Sequence, residues 1–256
     1  MLNTCDIKGI LDNPGEFLSK QWDYEVLGLS PEGRPILCVT SRNRSGRKIG
    51  VAAGIHGDEP APVLAVFEFL MSQRTRLQNQ FVVFPLVNPD GFFSGQHFNA
   101  VGINVNRGWY HHPLFQYPQS PEAKLLVEKL KIPPDYFISL HEDTDQQVGS
   151  YMYIFNEDNS PIHPATEKIQ AVLQGFYPPI ANQRVNDDER IEFNSYCNAD
   201  GLCLNDYDTS LEDYMYSQMG VPATACTETP ASAKADLAKR VRCNWNILNQ
   251  LANMCW

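Results

Sequence analysis

His56 and Glu59, in the run His56-Gly57-Asp58-Glu59, stand where the small apolar stretch "VAAGI" stops and a second apolar stretch, "VLAVFEFL", begins. A histidine at the end of a buried strand and a carboxylate at the start of the next helix can converge on one point. One further histidine would complete a zinc site of two imidazoles and one carboxylate, with a coordination position left open for chemistry. His141, at the end of "YFISL", is the natural third ligand. Taken singly, His56 and His141 read better as helix-capping or core histidines, and H-x-x-E recurs by chance. What raises the expectation is number: His56, Glu59, Asn88, His141 and Glu228 all lie at or just past the ends of apolar runs far apart in the chain.

The elements that must position these residues alternate in type. "YEVLGLS" and "RPILCVTS" have period-2 patterning around "PEGR", which predicts a hairpin. "KIGVAAGI", "FVVFPLVN", "DYFISLHE", "YMYIF" and "VPATACTE" read as strands. Residues 60–74 read as a helix, with Pro60 and Pro62 tolerated in its first turn. "SPEAKLLVEKLK" is a helix capped by Ser120, "HPATEKIQAVLQGF" is a second, and residues 231–254 form an amphipathic closing helix. Residues 88–120 lack periodicity, and residues 177–200 read as a polar, acidic loop region. Strands alternating with helices predict a three-layer α/β/α sandwich with a mixed, mainly parallel central sheet, spanning residues 1–256 as one domain. In such sheets function sits in the loops beyond the carboxyl ends of the strands.

Composition narrows the partners. The net charge of -10, from 20 basic and 30 acidic residues, disfavours nucleic acid and anionic membranes. No apolar run approaches the ~18 residues of a membrane span, and Asp6 and Lys8 interrupt what a signal peptide would keep apolar. Seven scattered cysteines with no C-x-x-C argue against a disulfide framework, so reduced thiols in a cytoplasm are expected.

Three stretches taken together carry a resemblance. "HGDE" is followed by "NPDG" at Asn88 to Gly91, by "NAVGINVNR" at Asn99 to Arg107, by His141 in "SLHE", and by Glu228 in "TACTETP". In order and spacing this resembles the zinc carboxypeptidase family, and looks closer to its murein-peptide amidase and succinylglutamate desuccinylase-like branches than to the digestive enzymes. The resemblance implies one zinc ion on His56, Glu59 and His141. It implies Glu228 as general base, taking a proton from water and passing it to the leaving amine. It also implies Asn106 and Arg107 as the pair that grips a substrate's terminal carboxylate, a task that suits the planar guanidinium fork.

Two positions depart from the family pattern. Its oxyanion-steadying arginine aligns with His97, whose charge an ordinary imidazole would lose near neutral pH, so a narrow optimum shifted toward acid is expected. The acid that braces a zinc-binding histidine is here Asn104. In "LNDYDTSLEDYMYSQMG" the family places a mobile tyrosine, read here as Tyr207 with Tyr214 and Tyr216 competing, and the specificity-pocket floor, near Glu212 or Asp213. A buried acid there would favour a basic or amino-bearing side chain. A Glu-Asp pair stabilising a helix N-terminus is an equally good reading of the same residues.

The expected function is zinc-dependent removal of a C-terminal amino acid from a peptide. A deacylase acting on N-acyl amino acids would share the triad, Glu228 and Arg107, and a weakened binding relative is a third reading. A length of 256 residues leaves little room for the added β domain of deacylases, which favours the peptidase. The expected partner is therefore a peptide or acylated amino acid with a free carboxylate.

Overall fold

The computed structural model describes residues 2–72, 77–144, 148–155, 161–186, 194–204, 208–232 and 236–255. The chain begins with α1 (Thr4–Asp12), α2 (Pro14–Phe17), β1 (Trp22–Leu29), β2 (Pro35–Ser41), β3 (Lys48–Ala53), α3 (Pro60–Met71) and β4 (Gln80–Phe84). It continues through α4 (Pro89–Ser94), α5 (Pro121–Lys129), β5 (Tyr136–Asp143), β6 (Tyr151–Phe155) and α6 (Pro164–Phe176). The last part holds β7 (Gln183–Asn186), β8 (Asn194–Cys197), β9 (Leu202–Leu204), α7 (Leu211–Asp213) running into a π-helical turn (Tyr214–Gln218), β10 (Thr224–Pro230) and α8 (Leu237–Asn253).

The described strands form one ten-stranded sheet in the order β1-β2-β4-β3-β5-β10-β6-β9-β8-β7. Its centre, β4-β3-β5-β10, is parallel, and antiparallel pairs flank it on both sides. Alternation along each strand sends side chains to opposite faces. Ile49, Val51, Ile138 and Leu140 pack with α1, α3, α6 and α8 on one face. Ala52 and Phe137 pack with α5 and the Leu211–Met215 segment on the other. This is the expected three-layer α/β/α arrangement. Among the described residues, no helix is long and apolar enough to cross a membrane.

The run "NPDG" has a structural job at this end of the sheet. Asn88 caps α4 by accepting from the Gly91 N–H at 2.9 Å. A Cβ on Gly57 would come within 1.9 Å of the Gly91 carbonyl carbon, so the "HGDE" and "NPDG" loops can touch only with glycine at Gly57. Asp90, 2% exposed, accepts from Ser30 Oγ at 2.7 Å, Glu32 N–H at 3.0 Å and Arg34 Nη1 at 2.5 Å, pinning the β1–β2 turn to this loop. Removing an acceptor that three donors share leaves buried groups unsatisfied. Asp90→Ala is therefore expected to lower unfolding stability by about 2–4 kcal/mol in urea titrations. A change under about 0.5 kcal/mol would show that the turn is held by other contacts.

Two expectations need correction. Residues 177–200 are not simply a loop: β7 and β8 extend the sheet, and β8 pairs with β9. Their polar sequence hid them, because it lacks the run of alternating apolar residues by which a half-buried strand is read. The reading of all cysteines as reduced also fails, since Cys197 and Cys203 are disulfide-bonded. The sequence "NADG" makes a tight turn between them. Asn198 Oδ1 accepts from the Asp200 and Leu202 N–H groups, and Gly201 takes φ +73°. That turn sets the two cysteines opposite each other in register with Cα atoms 4.2 Å apart. Cys5, Cys38, Cys243 and Cys255 are free thiols. Most of the acidic "NDDERIEF" run, from 187 onward, lies outside the described residues, as do Arg74 and Tyr207.

Candidate metal centre

The residues singled out by spacing meet at the carboxyl ends of the parallel strands. His56 follows β3, Glu59 is the N-cap of α3, and His141 and Glu228 lie near the ends of β5 and β10. His141 and Glu228 are register partners in a parallel pair, so their side chains leave the sheet side by side on one face. Glu59 presents one oxygen to each histidine: Oε1 is 2.7 Å from His56 Nδ1 and Oε2 is 2.9 Å from His141 Nδ1. The two imidazole centroids are 4.9 Å apart. All three side chains are buried.

The far nitrogen of His56 shows which tautomer this arrangement requires. Nε2 is 3.2 Å from Asn104 Oδ1, an oxygen that already accepts from the Asn106 N–H at 2.9 Å. Nε2 therefore carries the proton, and the Nδ1 lone pair is left facing a carboxylate. Burial and the neighbouring His97 push the pKa of His56 down to about 4, so the ring is neutral near pH 7. Burial works to raise Glu59, but the neighbouring His141 outweighs it and holds the carboxyl below the usual range. A lone pair and an anionic oxygen at contact distance call for a cation between them. Two imidazoles and one carboxylate are a zinc donor set. The residues present thus fit the metal, with Asn104 in the bracing role that an acid usually fills.

His97 stacks on His56 with centroids 3.8 Å apart and contacts Asp58 Oδ1 through Nδ1 at 3.2 Å. Burial opposes its charge, but Asp58 and Glu59 outweigh burial and raise its pKa above the ordinary imidazole value. His97, His56 and Glu59 form one cluster of ligand-type atoms all within 4.8 Å of one another; His141, Glu212 and Cys226 form a second.

The second cluster lies beside His141. Glu212 Oε1 is 3.9 Å from His141 Nε2, and Oε2 accepts from Asn106 Nδ2 at 3.3 Å. Oε1 itself is buried with no hydrogen-bond partner among the described residues. Its neighbour Asp213 turns the other way, accepting from the Asp208 and Thr209 N–H groups and from Tyr110 Oη. Of the acidic pair, Glu212 faces the site and Asp213 braces the loop. Asn106 Oδ1 also accepts from Leu211 N–H at 3.0 Å, which ties α7 to the "NVNR" loop. Arg107 is buried, donates through Nη1 to Asn106 O at 2.9 Å, and lies 4.0 Å from Asp208. Tyr214 tilts against Trp109, and Tyr216 against Phe155.

Several neighbours escaped the sequence reading. Cys226 Sγ is 3.6 Å from Glu228 Oε1; period-2 spacing on one strand could have placed it on the same face. Asp58 beside His97 and Asp208 beside Arg107 are contacts of distant segments and leave no local signal. Glu142, the carboxylate next to His141 in sequence, points to the opposite face of β5, toward Ala61 and Arg240.

The model of the zinc carboxypeptidase family matches residues 16–238. A candidate metallopeptidase from Shewanella amazonensis SB2B has a similar structure, with a TM-score of 0.74 at 24% identity, over 91% of this chain and 86% of that one. Another, from Shewanella denitrificans OS217, gives 0.72 at 27% identity over 90% and 82%. The murein-tripeptide amidase MpaA of Escherichia coli O157 gives 0.57 at 18% identity over 88% and 91%. No curated protein has a matching sequence.

Proposed function

This chain belongs to the zinc carboxypeptidase family and is a hydrolase, and from that premise we propose that it removes the C-terminal amino acid of a peptide. The observation that carries this reading is the Glu59 carboxylate divided between two histidine Nδ1 atoms, beside Glu228 and within one loop of a buried arginine. His56, Glu59 and His141 would hold the zinc. When bound, it supplies a Lewis acid that polarises a carbonyl and makes water a better nucleophile near neutral pH.

The chain's own residues do the rest. Glu228 accepts a proton from the attacking water and returns it to the leaving amine, so no net proton is gained or lost. His97 directs an N–H toward the oxygen on which negative charge develops. Arg107, with Asn106, holds the terminal carboxylate by paired hydrogen bonds. Glu212 takes a cationic group on the departing residue, since an unmatched buried carboxylate oxygen is costly until a donor reaches it.

Elemental analysis of protein purified without chelators is expected to find one zinc per chain. A product screen should show release of C-terminal lysine, arginine or another amino-bearing residue ahead of neutral ones. Cleavage of N-acyl amino acids with no cleavage of peptides would move the assignment to the deacylase. Absence of stoichiometric metal, with no gain on adding zinc, would sink the reading.

A further inference from the structure

The first turn of α3 is short of donors. Pro60 and Pro62 have no N–H, so Ala61 alone among the first three residues offers one. A carboxylate at the N-cap ordinarily accepts from the second or third helical residue. Glu59 holds the N-cap position and makes no such bond, because its oxygens are turned to His56 and His141. The Ala61 N–H donates instead to Glu142 Oε2 at 2.8 Å, from 81 residues away. Arg240 on α8 fixes that carboxylate by donating from Nη1 to Oε1 at 2.6 Å. Both Glu142 and Arg240 are buried. Glu142 directly follows His141, so β5 sends an imidazole into the pocket and, one residue on, a carboxylate to the face behind it.

We propose that Glu142 is a positioning residue for the metal centre: it caps α3 from outside the helix and so keeps the Glu59 carboxylate turned to the metal. Without Glu142, the Ala61 N–H has Glu59 as its nearest local acceptor, two residues back, and a glutamate that caps its own helix faces away from the histidines. The His141-Glu142 dipeptide then serves the site twice, once by ligation and once by removing a competitor for the other carboxylate ligand. This inference rests on the zinc reading above.

Two variants of the full chain separate positioning from general stability. Arg240→Met removes the ion pair but keeps the Glu142–Ala61 hydrogen bond. The double variant Glu142→Met, Arg240→Met removes the cap as well and leaves no charge stranded, a replacement that cores often tolerate. Zinc affinity is read by competition with a chromophoric chelator, and ligand geometry by the visible spectrum of the cobalt(II)-substituted protein. Arg240→Met is expected to hold zinc like wild type, with an unchanged cobalt spectrum. The double variant is expected to bind zinc about 10- to 100-fold more weakly, as when a metal ligand loses its orienting partner, with an altered cobalt spectrum. Equal zinc affinity in wild type and double variant would overturn the inference alone. Equal losses in the single and double variants would also overturn it, as a plain stability effect. A wild type that binds no zinc would overturn the parent reading and this one with it.

Discussion

Glu228→Gln is expected to lower kcat by about 10²- to 10⁴-fold, the usual contribution of a positioned acid-base group, while zinc content stays at the wild-type level. The amide keeps the shape and burial of the carboxylate, which is 6% exposed and set beside His141 by the strand register. It loses only the ability to take a proton. Because the proton moves in the transition state, kcat and kcat/KM should fall together and KM should change little. Glu142 does not compete for the role, since its carboxylate is spent on Ala61 and Arg240 behind the sheet. Near-normal turnover in Glu228→Gln, in protein with full metal content, would remove Glu228 as the base.

Arg107→Ala is expected to weaken binding of peptides with a free C-terminal carboxylate by about 2–5 kcal/mol, roughly 30- to 5,000-fold. The reason is burial. At 3% exposure the guanidinium is not screened by solvent, so an anion that reaches it keeps most of its attraction. Arg107→Lys should recover only part of the loss, because an ammonium is a point charge and not a two-pronged fork. Amidated peptides should be poor substrates for wild type and nearly indifferent to the change. Measuring kcat/KM for paired free and amidated peptides decides it: equal rates on both by wild type would show that Arg107 reads no carboxylate.

What the amino-acid sequence by itself determined about this protein is what depends on near neighbours. The apolar run that makes the buried strand β3, proline in the first turn of α3 and Ser120 ahead of α5 are relations among residues a few positions apart, and the structure has them all. The same short range put His56, Glu59, His141 and Glu228 at the ends of strands, where a parallel sheet gathers its chemistry. Tertiary structure alone decided which groups meet across the chain. It turned Glu212 toward His141 and Asp213 away, though the two are adjacent in an acidic pair with no difference in local pattern. It set Asp58 against His97 and made Glu142 the cap of a helix 81 residues earlier. It also added β7 and β8 to the sheet where residues 177–200 read as a polar loop, and joined Cys197 to Cys203 just beyond it. The physical reason is common to these cases. A backbone donor or a buried carboxylate accepts whatever partner the packed fold brings within about 3 Å, and nothing in the flanking residues of either partner records that distance.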